Sequence, residues 1–349
     1  MPTPEPSALT PGPGVNRRRV VAGVLGFAIA AGLLVWTLRG VHLDEVVRHI
    51  RSSRPWPLAA AVVIATLTYP LRLVRWRLLL RNEDGGALPA APLWHAVAIG
   101  FMANNVLPFR AGELVRLVAV TRLAGVPFGA ALASVAVERI FDGLTVVALL
   151  SFALLASDLP PGVSVGFGVP VARAAQVAGV MMAAALAGAV LVVAFPAAAE
   201  RLVRRVLPPG RLATGIVRLI EGIRQGLSAL RSPALLAGVV FWSAVLWLVN
   251  AYAFYVGFQA FDIPVGFLGA LLLQGILVFG ISVQLTPGFV GQFEAAIVAA
   301  LALYGVSNDL ASSYAIAFHG TTFVPILLLG AWSLARTPVA LSDLRRPQA

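Results

Sequence analysis

The segment NNVLPFRAGELVR, residues 104–116, interrupts a very apolar chain with two asparagines, a proline, a glycine, a glutamate and two arginines. Charged side chains at membrane depth are energetically costly and are rarely found there without a function. A lipid bilayer also accepts non-helical backbone only where protein or a water-filled cavity surrounds it. The segment therefore predicts a break in a membrane-embedded helix, and it is the first place to look for a functional site.

The composition around this segment indicates an all-α polytopic membrane protein. Of the 349 residues, 59% are hydrophobic and 12% are charged, and the mean hydropathy is +0.88. Soluble domains are less hydrophobic and contain more charged residues than this. The chain has no cysteine, which excludes disulfides and thiolate metal sites. The net charge of +11 comes from arginines beside hydrophobic runs, so we attribute it to topology signals and anionic lipid rather than to nucleic acid.

Six hydrophobic runs are long enough to cross about 30 Å of hydrocarbon as transmembrane helices. They lie at about 20–38, 57–80, 130–156, 172–195, 234–258 and 310–334. Two further apolar regions, 93–121 and 265–305, are broken by proline and glycine, and we predict a re-entrant helical hairpin in each. These segments form one membrane domain at 20–335, between a disordered cytoplasmic tail at 1–19 and a cytoplasmic tail at 336–349.

The distribution of arginine predicts the orientation of these segments. Seven arginines fall within residues 200–231, whereas the loops at 157–170 and 257–264 carry acidic residues and no arginine. The positive-inside rule then places both termini in the cytoplasm of a bacterial plasma membrane, with the hairpins entering from opposite faces. Span, hairpin and span at about 57–156 recur in the opposite orientation at about 234–334, which is the pattern of an inverted-repeat transporter.

The first hairpin contains the densest group of candidate site residues. Pro108 and Gly112 mark its break, and the helix that begins after the break presents free N–H groups and a partial positive charge that suit a phosphate. Arginine and glutamate at spacings of three residues share one face of that helix. A structural Arg–Glu pair that pins the hairpin is the alternative. We predict that the hairpin supplies the substrate-binding residues Asn104, Asn105, Arg110, Glu113 and Arg116.

Charged residues in the neighbouring spans extend this prediction. Arg72, Arg75 and Trp76 end the second span, where basic and aromatic side chains commonly anchor at the membrane interface. Arg72 lies deepest of the three and is our candidate for headgroup binding. ERIFDG, at residues 138–143, brings two carboxylates and an arginine into the next span. We predict a charge network there, completed by Arg110 or Arg116, and proton coupling remains an alternative role. Its members are Glu138, Arg139 and Asp142.

The second hairpin breaks at QLTPGFVGQFE, residues 284–294. Pro287, Gly288 and Gly291 allow a tight turn and a close approach of the backbone. Glu294 follows in the first turn of the returning helix, where a carboxylate is electrostatically favoured. It is a candidate partner for a proton or a headgroup amine, and a purely helix-stabilising role is equally open. We expect His319, alone on an apolar span, to be a hydrogen-bonded packing residue rather than a relay.

Three motifs together resemble one family. They are N-x-x-P-x-R-x-G-E-x-x-R at 105–116, E-R-x-x-D at 138–142 and P-G-x-x-G-x-x-E at 287–294, and they are similar to those of the lysylphosphatidylglycerol synthase transmembrane, or flippase-like, family. The resemblance runs from about residue 20 to 335. It implies a lipid-translocating domain with two re-entrant hairpins. By motif position it points to Arg110, Glu113, Arg116, Glu138, Arg139, Asp142 and Glu294.

We expect a stand-alone member of that family, because its aminoacyl-transferase domain would follow these spans and the sequence ends at residue 349. The resemblance implies translocation of an anionic phospholipid, glycolipid or lipid-linked precursor between leaflets, with proton coupling left open. One alternative is a membrane enzyme that acts on a lipid phosphate with Glu138 or Asp142 as base. Another is a non-catalytic partner of a glycosyltransferase or synthase. We expect anionic lipids as partners, no cofactor or metal, and leave open a second copy of the chain or a lipid-modifying enzyme.

Overall fold

The computed structural model describes residues 41–82, 84–107, 110–156, 164–165, 169–170, 196–206 and 232–338, together with a few single residues elsewhere. These ranges are helical apart from connecting turns and a two-residue antiparallel pair, β1 (Ser164–Val165) and β2 (Val169–Pro170). The described helices are, in chain order, α1 (Leu43–Ser52), α2 (Pro55–Leu79), α3 (Ala90–Val106), α4 (Ala111–Ala124), α5 (Phe128–Ala156), α6 (Pro196–Val206), α7 (Pro233–Ala260), α8 (Phe267–Gly280), α9 (Gln292–Ala302) and α10 (Asn308–Ala335).

Within these ranges, four helices are long and apolar enough to cross a membrane. They are α2, α5, α7 and α10, with 25 to 29 residues each, which at 1.5 Å per residue exceeds the thickness of the hydrocarbon core. They coincide with four of the six predicted spans and confirm a polytopic helical membrane protein. The other two predicted spans, 20–38 and 172–195, and both predicted tails lie almost entirely outside the described residues.

Two pairs of short helices stand where the hairpins were predicted. Helices α3 and α4 have 17 and 14 residues and pack on each other, as do α8 and α9 with 14 and 11; none reaches about 30 Å at 1.5 Å per residue. Pro108 lies outside the described residues. The second break contains a 3₁₀ turn at Pro287–Phe289, and Gly288 and Gly291 have φ angles of +62° and +82°, as its sequence suggested.

Gly112 has a different role from the one predicted. It lies within α4 rather than in the break, and a Cβ atom there would stand 2.1 Å from the carbonyl oxygen of Gly100 on α3. Such a distance is far below van der Waals contact, so only glycine permits the two helices to approach this closely. Gly112 therefore sets the spacing of the first hairpin and does not form its turn.

The described helices pack in a pattern that repeats between the two halves of the chain. Helix α3 packs on α10 just as α8 packs on α5, and the long first helices of the halves, α2 and α7, pack on each other. Arg54, before α2, donates its N–H to the carbonyl of Ala260 at the end of α7, whereas Arg75 late in α2 reaches Ser243 early in α7. Helices α2 and α7 therefore run in opposite directions, as the predicted inverted repeat requires.

The hydrophobic core is divided in the same way. One cluster centres on Trp76 and Leu93, between α2, α3, α4 and α5. The other centres on Phe258 and Tyr314, between α7, α8, α9 and α10. Smaller clusters cross between the halves: Leu150 and Ala153 of α5 pack with Leu271 and Leu272 of α8. Each hairpin is therefore held by long helices of both halves.

Candidate functional site

The tips of the two hairpins meet through Gln284, a buried residue in the second break. Its Oε1 accepts a hydrogen bond from the N–H of Arg110 at 2.8 Å. Its Nε2 donates to the carbonyl oxygens of Asn104 at 2.8 Å and Leu107 at 3.1 Å. The two breaks are thus in direct contact, as opposed hairpins require. Gln284 opens the sequence of the second break, residues 284–294, but nothing in that sequence singled it out.

Arg110 occupies an unusual backbone position at this contact. Its φ and ψ angles are 52° and 30°, in the left-handed region that side chains other than glycine rarely adopt. Its guanidinium donates to the carbonyl of Ile281 at 3.1 Å and lies 3.5 Å from the Glu113 carboxylate. The predicted Arg–Glu pair is therefore present, and both side chains remain about one-third exposed.

A cavity of about 500 Å³ lies beside the hairpin contact and is walled by both halves of the chain. Its volume falls in the usual range for small-molecule sites. Phe289, Phe293 and Phe323 give part of the wall an apolar surface. Several residues that the sequence predicted for the site line this wall: Arg72, Asn104, Asn105, Arg110, Glu113, Arg116, Arg139 and Asp142. Glu294 and Glu138 stand behind the wall, and the side-chain amide of Asn105 is turned to the carbonyl of Phe101 in its own helix.

The predicted charge network exists and is buried. Arg116 of α4 grips Glu138 of α5 with two hydrogen bonds of 3.1 and 2.9 Å. Arg139 contacts Glu138 at 2.8 Å and Asp142 at 3.4 Å. The indole N–H of Trp247, on α7, donates to Asp142 at 2.9 Å. Both carboxylates therefore have arginine partners, as buried charges require.

Arg75 is a central member of the network that the sequence did not reveal. Its Nη1 lies 2.5 Å from Asp142 Oδ1, and its Nη2 lies 3.2 Å from Glu138 Oε1. The side chain is fully buried, so the interpretation as an interfacial anchor is wrong. Trp76 is equally buried, because its indole donates to Ser134 and its ring stacks under Arg116 at 3.7 Å. The ion partners of Arg75 stabilise it at a depth where a lone arginine would be costly.

Arg72 differs from the other buried arginines. It is 8% exposed, yet among the described residues it makes no hydrogen bond and has no carboxylate within 4 Å. Its guanidinium instead lies 4.9 Å from the ring centre of Phe101 and 5.8 Å from that of Trp247, in the range of cation–π contacts. Because Arg72 also lines the cavity, it presents an unpaired positive charge to whatever the cavity holds.

The charges around the cavity do not cancel. Four guanidinium groups, those of Arg72, Arg75, Arg116 and Arg139, accompany only the carboxylates of Glu138 and Asp142. Arg110 and Glu113 balance each other. Even when the carboxylate of Glu294 beside His319 is counted, these groups leave an excess of at least one positive charge next to an enclosed space, and arginine is the side chain best suited to bind a phosphate there.

The second hairpin contributes a carboxylate and a histidine. Glu294 Oε2 accepts the N–H of Gly291 at 2.7 Å, which is the helix-stabilising bond considered from the sequence. Glu294 Oε1 lies 2.6 Å from Nδ1 of His319 on α10. The His319 ring stacks on Phe293, with ring centres 4.2 Å apart, and it lines the cavity. His319 is therefore both packed and hydrogen-bonded, as predicted, but its carboxylate partner 25 residues away was not apparent from the sequence.

Comparisons with known proteins agree with the fold. Residues 23–330 match the family described as the lysylphosphatidylglycerol synthase TM region. Glycosyltransferase AglD of Haloferax volcanii is 31% identical over 365 aligned positions, which cover 96% of this chain but 57% of that protein. A UPF0104 membrane protein of Methanothermobacter thermautotrophicus is 24% identical over 336 positions, 90% of this chain and 92% of its own length. The chain thus spans little more than half of the Haloferax relative. It is a multi-pass membrane protein and belongs to the lysylphosphatidylglycerol synthase transmembrane family.

Proposed function

We propose that this protein translocates a lipid with an anionic phosphate headgroup between the leaflets of the membrane. The observation that carries the proposal is the unpaired guanidinium of Arg72 in a cavity with excess positive charge. A buried charge without a partner is costly in a membrane protein. An anionic headgroup in the cavity would offset that cost, so the site is complementary to a ligand of this class.

The shape of the site fits a lipid rather than a free anion. The cavity wall combines the guanidinium groups of Arg72 and Arg116 with the apolar rings of Phe289, Phe293 and Phe323. A headgroup can bind at the polar part while its acyl chains pass the aromatic wall toward the hydrocarbon. The anionic phospholipids, phosphate-linked glycolipids and lipid-linked precursors all have this combination of groups.

The hairpins suggest how such a headgroup could pass. Each hairpin half is too short to cross the membrane, and hydrogen bonds to Gln284 join the two tips. Separation of the tips on one side would open the cavity to one leaflet, and separation on the other side would open it to the opposite leaflet. Alternating access around a fixed site near the midplane is the usual mechanism of inverted-repeat transporters.

The same geometry argues against a role for Glu138 as a general base. Both of its carboxylate oxygens accept hydrogen bonds from arginines, and Glu138 stands behind the cavity wall, whereas a base needs an oxygen that can reach the proton it abstracts. Asp142 does line the cavity; Arg75 and Trp247 both donate to its Oδ1, and Arg139 lies 3.4 Å from its Oδ2. Translocation needs no such group, and charge balance is the role that these contacts favour for both carboxylates.

The similarity to a relative named as a glycosyltransferase favours a second candidate role. This chain could present a lipid-linked sugar to a glycosyltransferase as a non-catalytic membrane partner. The two roles predict different results with purified protein alone. A partner protein would leave the lipid in its original leaflet, whereas a translocating protein would equilibrate it.

The test is transfer of NBD-labelled phosphatidylglycerol in phosphatidylcholine proteoliposomes, with dithionite to count the label in the outer leaflet. We expect the wild-type protein to expose the inner label, and Arg72→Gln to slow this at least about tenfold, because a charge-assisted contact contributes roughly 1.5–3 kcal/mol. Arg48→Gln, at an exposed arginine of α1, is the matched control and should transfer at the wild-type rate. Equal rates for Arg72→Gln and wild type would remove Arg72 from the site.

Labelled phosphatidylcholine, whose headgroup has no net charge, tests the selectivity of the same vesicles. We expect its transfer to be much slower than that of phosphatidylglycerol. Chromatography of the recovered lipid tests the alternative that the protein is an enzyme, because an enzyme would convert the lipid into a chemically altered product. An unchanged lipid that never leaves its leaflet would contradict translocation and favour the partner role.

A further inference from the structure

The His319–Glu294 pair is placed to hold a proton next to the proposed headgroup site. Glu294 Oε1 lies 2.6 Å from His319 Nδ1, and Glu294 Oε2 accepts the N–H of Gly291. An ionised Glu294 therefore fixes the tautomer in which Nδ1 carries the hydrogen. The other ring nitrogen, Nε2, makes no hydrogen bond to a described residue. His319 also belongs to the cavity wall, so Nε2 is the ring atom available to accept a proton.

Ionisable side chains from several helices surround His319 and influence its charge. The cavity that His319 shares contains Tyr69 and Arg72 from α2, Glu113 and Arg116 from α4, and Arg139 and Asp142 from α5, with Arg110 at the hairpin tip. Helices α3 and α7 contribute asparagines and aromatic residues to this wall but no ionisable side chain. Helix α9 contributes Glu294. Helix α1 brings His49 against Ser313, about 9 Å along α10 from His319.

The acidic groups of the network are poorly placed for the same task. Glu138 and Asp142 are held by three arginines, and a proton on either carboxylate would break those ion pairs and leave buried guanidinium groups unbalanced. A proton on His319 breaks nothing, because Nδ1–H keeps its bond to Glu294 while Nε2 takes up the new hydrogen. Histidine is also the side chain whose charge changes most readily near neutral pH.

Resting on the proposed lipid translocation, we infer that His319 and Glu294 form a proton-binding site and that a proton travels with the anionic headgroup. The proton adds to Nε2 of His319 from one side of the membrane and leaves from the same atom toward the other. A protonated His319 adds positive charge to the cavity and strengthens the binding of the anion. Because coupling between two ligands is reciprocal, the bound anion strengthens the binding of the proton equally.

The test imposes a pH difference across phosphatidylcholine proteoliposomes that contain trace NBD-phosphatidylglycerol, and measures the steady-state leaflet ratio with dithionite. If one proton crosses with each lipid, the ratio of labelled lipid between the two leaflets should change about tenfold per unit of pH difference, in favour of the leaflet on the alkaline side. His319→Gln should give a ratio independent of pH difference, whatever its rate. His95→Gln is the matched control, because His95 lies against Trp332 outside the cavity, and it should respond like the wild type.

A second measurement separates this inference from translocation itself. Soluble dihexanoyl-phosphatidylglycerol is added to purified protein in weakly buffered solution with a pH indicator. Wild type and His95→Gln should take up protons, and His319→Gln should not. Glu294→Gln keeps the imidazole but removes its carboxylate, so it should lose most of the uptake; gel filtration of each variant verifies its fold.

The outcomes are distinguishable. Lipid transfer in the wild type with a leaflet ratio that ignores the pH difference would overturn the proton site and leave the proposed function standing. Proton uptake on lipid binding without any transfer would overturn the proposed function and leave the proton site standing. Proton uptake that persists in folded His319→Gln would assign the proton to another residue and overturn the inference.

Discussion

Helix α4 of the first hairpin begins at Ala111 and has Glu113 as its third residue, and helix α9 of the second begins at Gln292 and has Glu294 as its third residue. Glu113 is about one-third exposed and pairs with Arg110 at the start of its own helix. Glu294 is buried and pairs with His319 on a different helix. The same carboxylate at the same helical position thus has a local partner in one hairpin and a distant partner in the other.

The sixth residues of the two helices differ more strongly. Arg116 in α4 is buried in the ionic network, whereas Ile297 in α9 is buried among apolar side chains. The two hairpins therefore share a backbone arrangement, which depends on helix breaks and small residues, and they differ in their side chains. The first hairpin supplies Arg110 and Arg116 to the cavity wall, whereas the second supplies Phe289 and Phe293.

The strongest way to break this comparison is to remove the buried cation. Arg116→Met should lower the free energy of unfolding by about 3–5 kcal/mol, because it removes one partner of a buried ion pair at Glu138. Ile297→Met, at the matched position, should cost less than about 1.5 kcal/mol. Unfolding of the detergent-solubilised protein in SDS, followed by circular dichroism, measures both. Similar losses for the two variants would show that the network contributes no more than ordinary packing.

The close approach of the hairpin helices is the next difference. Gly112→Ala places a Cβ atom 2.1 Å from a backbone oxygen, whereas Gly280→Ala in the second hairpin places one 3.1 Å from the Cβ of Ala296. We expect the first substitution to cost about 1–3 kcal/mol and the second clearly less. The same SDS titration gives both values. If Gly112→Ala leaves the free energy of unfolding unchanged, α3 and α4 can move apart without losing stability.

Two glutamines test whether the hairpins depend on each other. Gln284→Leu leaves the N–H of Arg110 and two carbonyl groups of the first hairpin without partners. Gln292→Leu disturbs only bonds within the second break. We expect hydrogen exchange at the Arg110 amide to rise about tenfold or more in Gln284→Leu, since a lost hydrogen bond to a buried group costs roughly 1–3 kcal/mol, and to stay near the wild-type rate in Gln292→Leu. Equal exchange rates in the two variants would contradict the inference that Gln284 holds the two hairpin tips together.

The smallest effect concerns the two matched carboxylates. Glu113→Gln should change the unfolding free energy by only about 0.2–1 kcal/mol, because its partner Arg110 is partly exposed and screened by solvent. Glu294→Gln should cost more, because its carboxylate is buried and holds both Gly291 and His319. Thermal unfolding of the two variants beside wild type makes the comparison. A larger loss for Glu113→Gln would reverse our assignment of local and distant partners.

Much of the fold could be predicted because the constraints of a membrane act on short stretches of sequence. Hydrophobic length identified the long helices that the structure describes, and proline and glycine located both breaks. The site was partly predictable for the same reason, since charges such as Arg110 and Glu138 are conspicuous in an apolar chain. The need to neutralise buried charge predicted Arg110 or Arg116 as a partner of these carboxylates, and the structure has Arg116 there.

The remaining part of the site depends on contacts that no local pattern records. Arg75 meets Asp142 across 67 residues, and Gln284 reaches Asn104 across 180. Arg75 also stands in a run of arginines at a helix end, where anchoring at the interface is the commoner role. A glutamine in a turn and a histidine on an apolar helix are equally ordinary until their partners are known.

The residue that precedes each returning helix has a positive φ angle in both hairpins. Both positions have a left-handed backbone: the second hairpin uses Gly291 there, and the first uses Arg110. Glycine adopts this conformation freely, whereas another residue pays about 1–2 kcal/mol. A sequence optimised only for stability would therefore place glycine at both positions. Engineers who stabilise this protein by consensus or computation should leave residue 110 unchanged, because the more stable choice there discards the guanidinium that faces the cavity.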